Sequence, residues 1–198
     1  MATGDRRKRR HKLLGFASSQ SGSFTAAQAL GAGYSYQAQQ YNVEQGNWLR
    51  VDRGIFRLPE WPPGQHEDLV RWALWSRGQA VTSHITALAV HDLGDVNPSR
   101  VHMTVPSTFR KKAKGIILHR GELPREDVEG REGFSVTAPM RSILDTAAAG
   151  IEIDQLSRVI ADAVERGLVT KRGLRARADA FGPAAALAIE RALNEGTG

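Results

Sequence analysis

Histidines, hydroxyls and a dense basic run are the groups in this 198-residue chain best suited to chemistry. His84 and His91 lie seven apart, so on a helix they share a face but stand about 10 Å apart along the axis. One ion cannot bridge that gap. His102 and His119 fall on separate predicted strands and could meet, yet two imidazoles without a nearby carboxylate make a poor metal site. Ser83 and His84 set a hydroxyl beside an imidazole, but adjacent positions on a helix point apart, which argues against a nucleophile and its base. Gly31-Ala32-Gly33 is a lone G-x-G without the third glycine or preceding strand of a phosphate loop. None of Lys8, Lys12, Lys111, Lys112, Lys114 or Lys171 has the carboxylate two positions earlier that a D…(D/E)-x-K nuclease needs. No Gly-Ser followed by Asp-x-Asp points to nucleotidyl transfer either. The expectation is a non-enzyme with no metal and no cofactor, its histidines packed or solvated.

Binding chemistry fares better. Asp5–Lys12 holds six cations in eight residues: Arg6, Arg7, Lys8, Arg9, Arg10 and Lys12. Mutual repulsion predicts a loose arm, which extended would reach roughly 26 Å. Farther on, Tyr34–Asn42 is rich in amides and hydroxyls and free of charge. Gln and Asn can hold adenine through N6 and N7, a contact worth about 1–3 kcal/mol of discrimination. Ser35, Tyr36, Gln37 and Gln40 are the expected contacts of this segment, with Tyr36, Gln37 and Gln40 reading bases, while Ala38 and Tyr41 are expected to pack inward. Arg50, Arg53 and Arg57 follow, suited to phosphate or minor-groove contact. A polar surface helix with no ligand is the plain alternative for the amide-rich segment alone.

The elements that must position these groups are legible in outline. A short helix is expected around Leu13–Ser19. Phe24-Thr25-Ala26-Ala27-Gln28 has the form of a capping box, Thr25 and Gln28 satisfying each other's backbone amides with Phe24 as staple. That helix stops at Gly31-Ala32-Gly33. A second begins at Ser35, a good N-cap, and runs to Gly46. Trp48–Val51 and Ile55–Leu58 read as strands around Asp52-Arg53-Gly54, with glycine where φ > 0 is needed. Helix, glycine turn, helix, hairpin is the order of a winged helix-turn-helix. Pro59-Glu60-Trp61-Pro62-Pro63-Gly64 can continue neither helix nor central strand, so residues 1–59 are assigned to the arm and DNA-binding domain and 60–198 to a second domain.

That second domain is expected to be α+β, a mixed fold ending in helices. Helices are predicted over His66–Arg77, Ser83–Leu93, Pro139–Ala149, Asp154–Arg166, Thr170–Ala180 and Pro183–Asn194. Strands are predicted at Val101–Val105, Gly115–His119 and Phe134–Thr137. Between the first two of these strands, Arg110, Lys111, Lys112 and Lys114 form a possible secondary basic patch. It could extend a DNA footprint, face an acidic partner or simply be solvated. Glu122–Glu132 could dock a basic partner.

Composition fits this picture. Hydrophobic residues make up 41% of the chain and cysteine is absent, which excludes a disulfide framework and thiolate chemistry. No apolar stretch approaches the roughly 18–20 residues of a spanning helix, and the charged N-terminus lacks a leader's apolar core. A cytoplasmic protein without membrane partners is expected. The net charge of +6 is unevenly placed: residues 1–60 hold nine basic against four acidic groups, whereas 121–165 hold four against ten.

F-T-x-x-Q-A (Phe24–Ala29), G-Y-S (Gly33–Ser35) and W-L-R-V-D-R-G-I-F-R-L-P (Trp48–Pro59) together resemble the N-terminal winged helix of AbiEi-type antitoxins. T-S-H-I-T-A-L-A-V-H-D-L (Thr82–Leu93), V-H-M-T-V-P (Val101–Pro106) and V-T-A-P-M-R-S-I-L-D-T-A (Val136–Ala147) continue the resemblance in order. It implies an autorepressor that binds its own promoter as double-stranded DNA, with cooperative binding where operator sites repeat. It also implies that the protein counteracts a nucleotidyltransferase-like toxin encoded beside it. A toxin-inhibiting interaction module with incidental nucleic-acid binding is the alternative. Gln39 and Asn42 depart from the apolar residues that many such proteins carry at these positions.

Overall fold

In the computed structural model, which describes residues 2–195 (side chains from Asp5 on), the chain divides into two units. The first comprises residues 1–78 with 131–134, the second 79–130 with 135–198. The division falls after Gly78, beyond the Pro59 boundary that the proline-rich segment predicts.

The first unit opens with helix α1 (Ala2–Ala17). This corrects the expected loose arm. Arg and Lys are good helix formers, Asp5 pairs with Arg9 one turn on, and the apolar C-terminal end anchors the helix. Leu13 and Ala17 are buried there, with Leu14 and Phe16 packed alongside. Strand β1 (Ser23–Thr25) leads into helix α2 (Ala26–Gly31) through the expected capping box, Thr25 Oγ1 accepting from Gln28 N and Gln28 Oε1 from Thr25 N. Ser35 then caps helix α3 (Tyr36–Glu44), its hydroxyl accepting from Ala38 N. Strands β2 (Leu49–Asp52) and β3 (Ile55–Arg57) form the predicted hairpin, with Gly54 at φ +72°.

The missed strand is β1. It pairs antiparallel with β3, Phe24 opposite Phe56, to give a sheet of order β1-β3-β2. Phe24, Tyr34, Trp48 and Phe56 make the core beneath it. Trp48 meets Phe24 and Tyr34 edge-on at centroid separations of 4.9 and 5.0 Å. Helix α4 (Glu67–Trp75) buries Leu69, Val70, Trp72 and Ala73. Ion pairs Arg57–Glu67 at 2.8 Å and Arg71–Asp52 at 3.2 Å tie α4 to the hairpin, so it joins this unit.

The second unit carries a five-stranded sheet built from β4 (Val81–Thr82), β5 (Val101–Val105), β6 (Ile116–Arg120), β7 (Val128–Arg131) and β8 (Phe134–Thr137), in the order β6-β5-β4-β8-β7. The β5/β6 and β4/β8 pairs are parallel and β4/β5 is antiparallel. Helix α5 (His84–Val90) follows β4, and α6 (Pro139–Ala149) follows β8. Helices α7 (Ile153–Glu165), α8 (Lys171–Phe181) and α9 (Pro183–Glu195) complete it. On α7, Leu156, Val159, Ile160 and Ala163 form the i, i+3, i+4, i+7 stripe that enters a core with Leu88, Ile143, Leu144, Leu174 and Ile189. The protein is thus mixed α+β with helices at both ends. Among the described residues no helix is long and apolar enough to cross a membrane.

Candidate functional site

The outer face of α3 presents Tyr36, Gln37, Gln40, Tyr41 and Glu44, all exposed. Tyr36 keeps 69% of its surface and Tyr41 59%. Tyr41 was expected to pack inward, and the structure turns it out. Gln39 faces inward instead, at 3% exposure, its amide donating to Ala26 O and Tyr34 O at 3.1 Å. A polar residue can take this core position because its amide N–H groups find carbonyl acceptors there. The inner face is therefore Ala38, Gln39, Asn42 and Val43. Sequence periodicity missed this, since it assigns buried positions to apolar side chains.

Two other elements adjoin that face. Gly33 adopts φ +96° between α2 and α3, and a side chain there would lie 3.2 Å from Arg9 Cγ. Arg9 of α1 thus lies across the turn that leads into α3. From the hairpin, Arg50 Nη2 donates to Gln40 Oε1 at 3.1 Å, while Gln40 Nε2 donates to Glu44 Oε1 at 2.8 Å. The amide of Gln40 is held with one oxygen lone pair and one N–H still available. Arg50 also lies over the Phe56 ring, 5.3 Å from its centroid.

The predicted cations divide by environment. Arg6, Arg7, Lys8, Arg9, Arg10 and Lys12 are exposed along α1, with Arg9 paired to Asp5 and Arg10 to Glu60. Arg53 is exposed at the hairpin tip. Arg57 is not available in this way: its side chain is 13% exposed and paired with Glu67. Its expected phosphate role is corrected to that of a partly buried ion pair. Ser35 is exposed, but its hydroxyl is engaged in capping α3. Arg110, Lys111, Lys112 and Lys114 lie exposed between β5 and β6 in the other unit.

That unit also revises the reading of the histidines. His102 Nδ1 and His119 Nε2 do meet, at 3.1 Å. His84 joins them, its ring stacked on His119 at 3.5 Å. Ser83 and His84 do not point apart: His84 takes φ +56°, and Nδ1 lies 2.9 Å from Ser83 Oγ. Nearby, Arg141 bonds both Asp127 and Asp145, and Arg177 adds a second pair to Asp127 at 2.7 Å. Burial raises the Asp145 pKa, against the pull of Arg141, and Arg141 itself is held above its ordinary value by its two carboxylates despite burial.

No family model matches the chain, and no curated protein matches it. Among solved structures it is similar to the crystal structure of the RV2827C protein from Mycobacterium tuberculosis. The two share 15% identity at a TM-score of 0.59, over 93% of this chain and 75% of that one. At that identity the likeness establishes a shared fold alone.

Proposed function

We propose that this protein is a DNA-binding regulator of the AbiEi antitoxin type. Its first unit is a winged helix-turn-helix in which α3 is the recognition helix and β2–β3 the wing. The observation that carries the reading is one continuous surface: a face of amides and phenols on α3 that ends at Glu44, with Arg9 against its leading turn and Arg50 bonded to its central glutamine. Amides select bases, and flanking cations meet phosphates. Tyr36 and Tyr41 add aromatic area that can contact thymine methyl groups.

On this reading the protein acts in the cytoplasm as a repressor of its own promoter and has no catalytic centre. Its second unit serves to counteract a nucleotidyltransferase-like toxin encoded beside it. The six ordered motifs shared with AbiEi-type antitoxins support that assignment. Mobility shifts on the upstream DNA against random duplex test repression, and binding without preference overturns it. Co-purification of the full-length chain with the neighbouring gene product tests direct contact with the toxin.

A further inference from the structure

The β5–β6 pair and the start of α5 bring three imidazoles together. His102 and Thr104 are two apart on β5 and project from one face of the sheet, and the parallel register sets His119 of β6 beside Thr104. His84, turned by its positive φ, lays its ring on His119 with planes 15° apart. Ring centroids of His102 and His119 are 5.2 Å apart, and those of His84 and His102 are 6.0 Å apart. Thr104 Oγ1 donates to Ser83 Oγ at 2.9 Å, which lies beside His84 Nδ1. His84 is buried, while His102 and His119 remain half-buried and reachable.

The charged groups that bear on this cluster are cations. Arg141 of α6 acts on His84, and Arg100, ahead of β5, acts on His102. Burial and mutual repulsion lower His84 to about 3 and His119 to about 4, and burial with Arg100 lowers His102. Asp127 and Asp145 already offset Arg141. Residues 100–120 hold six Arg or Lys and no Asp or Glu. Among the described residues, the charged groups found acting on the three imidazoles are Arg100, Arg141 and one another. A metal does not fit: near-parallel stacking keeps the nitrogens of His84 and His119 in separate planes. Among the described residues no three His, Cys, Asp or Glu are arranged to hold an ion.

We propose that His84, His102 and His119, backed by Arg100, form a binding site for a phosphoryl oxyanion. The His102–His119 bond uses one imidazole N–H, so the neutral cluster has two left to donate to such a group, whose charge then favours protonation, and binding draws protons from solvent. Free phosphate and a nucleic-acid backbone present the same chemistry. The site lies in the second unit and does not depend on the α3 reading.

NMR titration of the histidine Cε1–H signals of the full-length protein tests this, alone and with inorganic phosphate, adenosine monophosphate or a short DNA duplex. The expected result is an upward pKa shift of about one unit or more for the cluster. A response to phosphate assigns a free phosphoryl ligand, and one confined to the duplex assigns a phosphodiester. Calorimetry in buffers of different ionisation heat should show proton uptake, with tighter binding as pH falls from about 5.5 to 4. His102→Gln and His119→Gln should each weaken binding about tenfold with the far-UV spectrum unchanged. Gln37→Ala/Gln40→Ala should leave the histidine response to inorganic phosphate intact. Silence of all three histidines toward every probe overturns the proposal, as does undiminished binding in both histidine variants. A fall in their pKa on adding zinc, with no phosphate response, overturns it too.

Discussion

Replacing Arg141 with methionine removes the cation that bonds Asp145. In the native protein Asp145 is 5% exposed, with Oδ1 accepting from Arg141 Nε at 2.9 Å and Oδ2 buried without a hydrogen-bond partner. The variant strands that carboxylate, whereas Asp127 keeps Arg177. Breaking a buried pair from one side costs about 3–5 kcal/mol, and methionine retains most of the packing against Phe181. We expect a loss of about 3–4 kcal/mol at pH 8. The sign with pH follows from linkage. Burial already raises Asp145, and losing Arg141 raises it further, so the folded variant binds more protons than the unfolded chain. Its deficit relative to the native protein must therefore shrink as pH falls from 8 to 5. Comparing the two proteins at each pH removes most of the opposite contribution of the histidines. Urea denaturation followed by far-UV circular dichroism reads this change, because Trp48, Trp61, Trp72 and Trp75 all lie in the first unit. Arg141→Met/Asp145→Asn should recover much of the loss. A deficit below about 1 kcal/mol, one equal at both pH values, or no recovery in the double variant would refute the reasoning.

Gln37→Ala/Gln40→Ala should flatten preference among duplexes in competition binding, whereas Arg53→Ala should weaken all of them alike; identical behaviour contradicts the assigned roles. Gln39→Ala leaves two carbonyls without their amide donor, so chemical denaturation should show a loss of about 1–3 kcal/mol. Gly94 adopts φ +67°, and a side chain there would stand 2.3 Å from Val159 Cγ2 and 3.0 Å from Val159 backbone atoms. Gly94→Ala should therefore cost about 2 kcal/mol or more, visible as a lowered urea midpoint.

Local signals carried most of what the sequence disclosed. The Thr25–Gln28 box, the Ser35 cap and the Pro139 start of α6 act within one helical turn, and each stands where the residues predicted it. Short strands were harder. β1 and β4 hold three and two residues, and their pairing comes from distant partners rather than their own pattern, while β7, beside β8, reads Val-Glu-Gly-Arg and has no apolar alternation. Tyr41 and Gln39 exchanged places because hydrogen bonds to Ala26 and Tyr34 rewarded a buried amide, which periodicity does not register. Arg57 looked like its neighbours on the wing until Glu67 of α4 came beside it. The approach of His102 to His119 followed from two strands. His84 joined them through a backbone conformation that its residue type does not announce.

Salt-dependent binding tests the central claim most directly. Arg6, Arg7, Lys8, Lys12, Arg50 and Arg53 are exposed and have no carboxylate partner among the described residues. If these six meet phosphates, log K for the promoter duplex should fall against log salt with a slope of about −5. Fluorescence anisotropy of the full-length protein gives that slope and, with a scrambled duplex of equal length, the selectivity. The account predicts this slope together with at least about 10³-fold tighter binding to the promoter. Binding that ignores salt, or that holds both duplexes equally at every salt concentration, contradicts it.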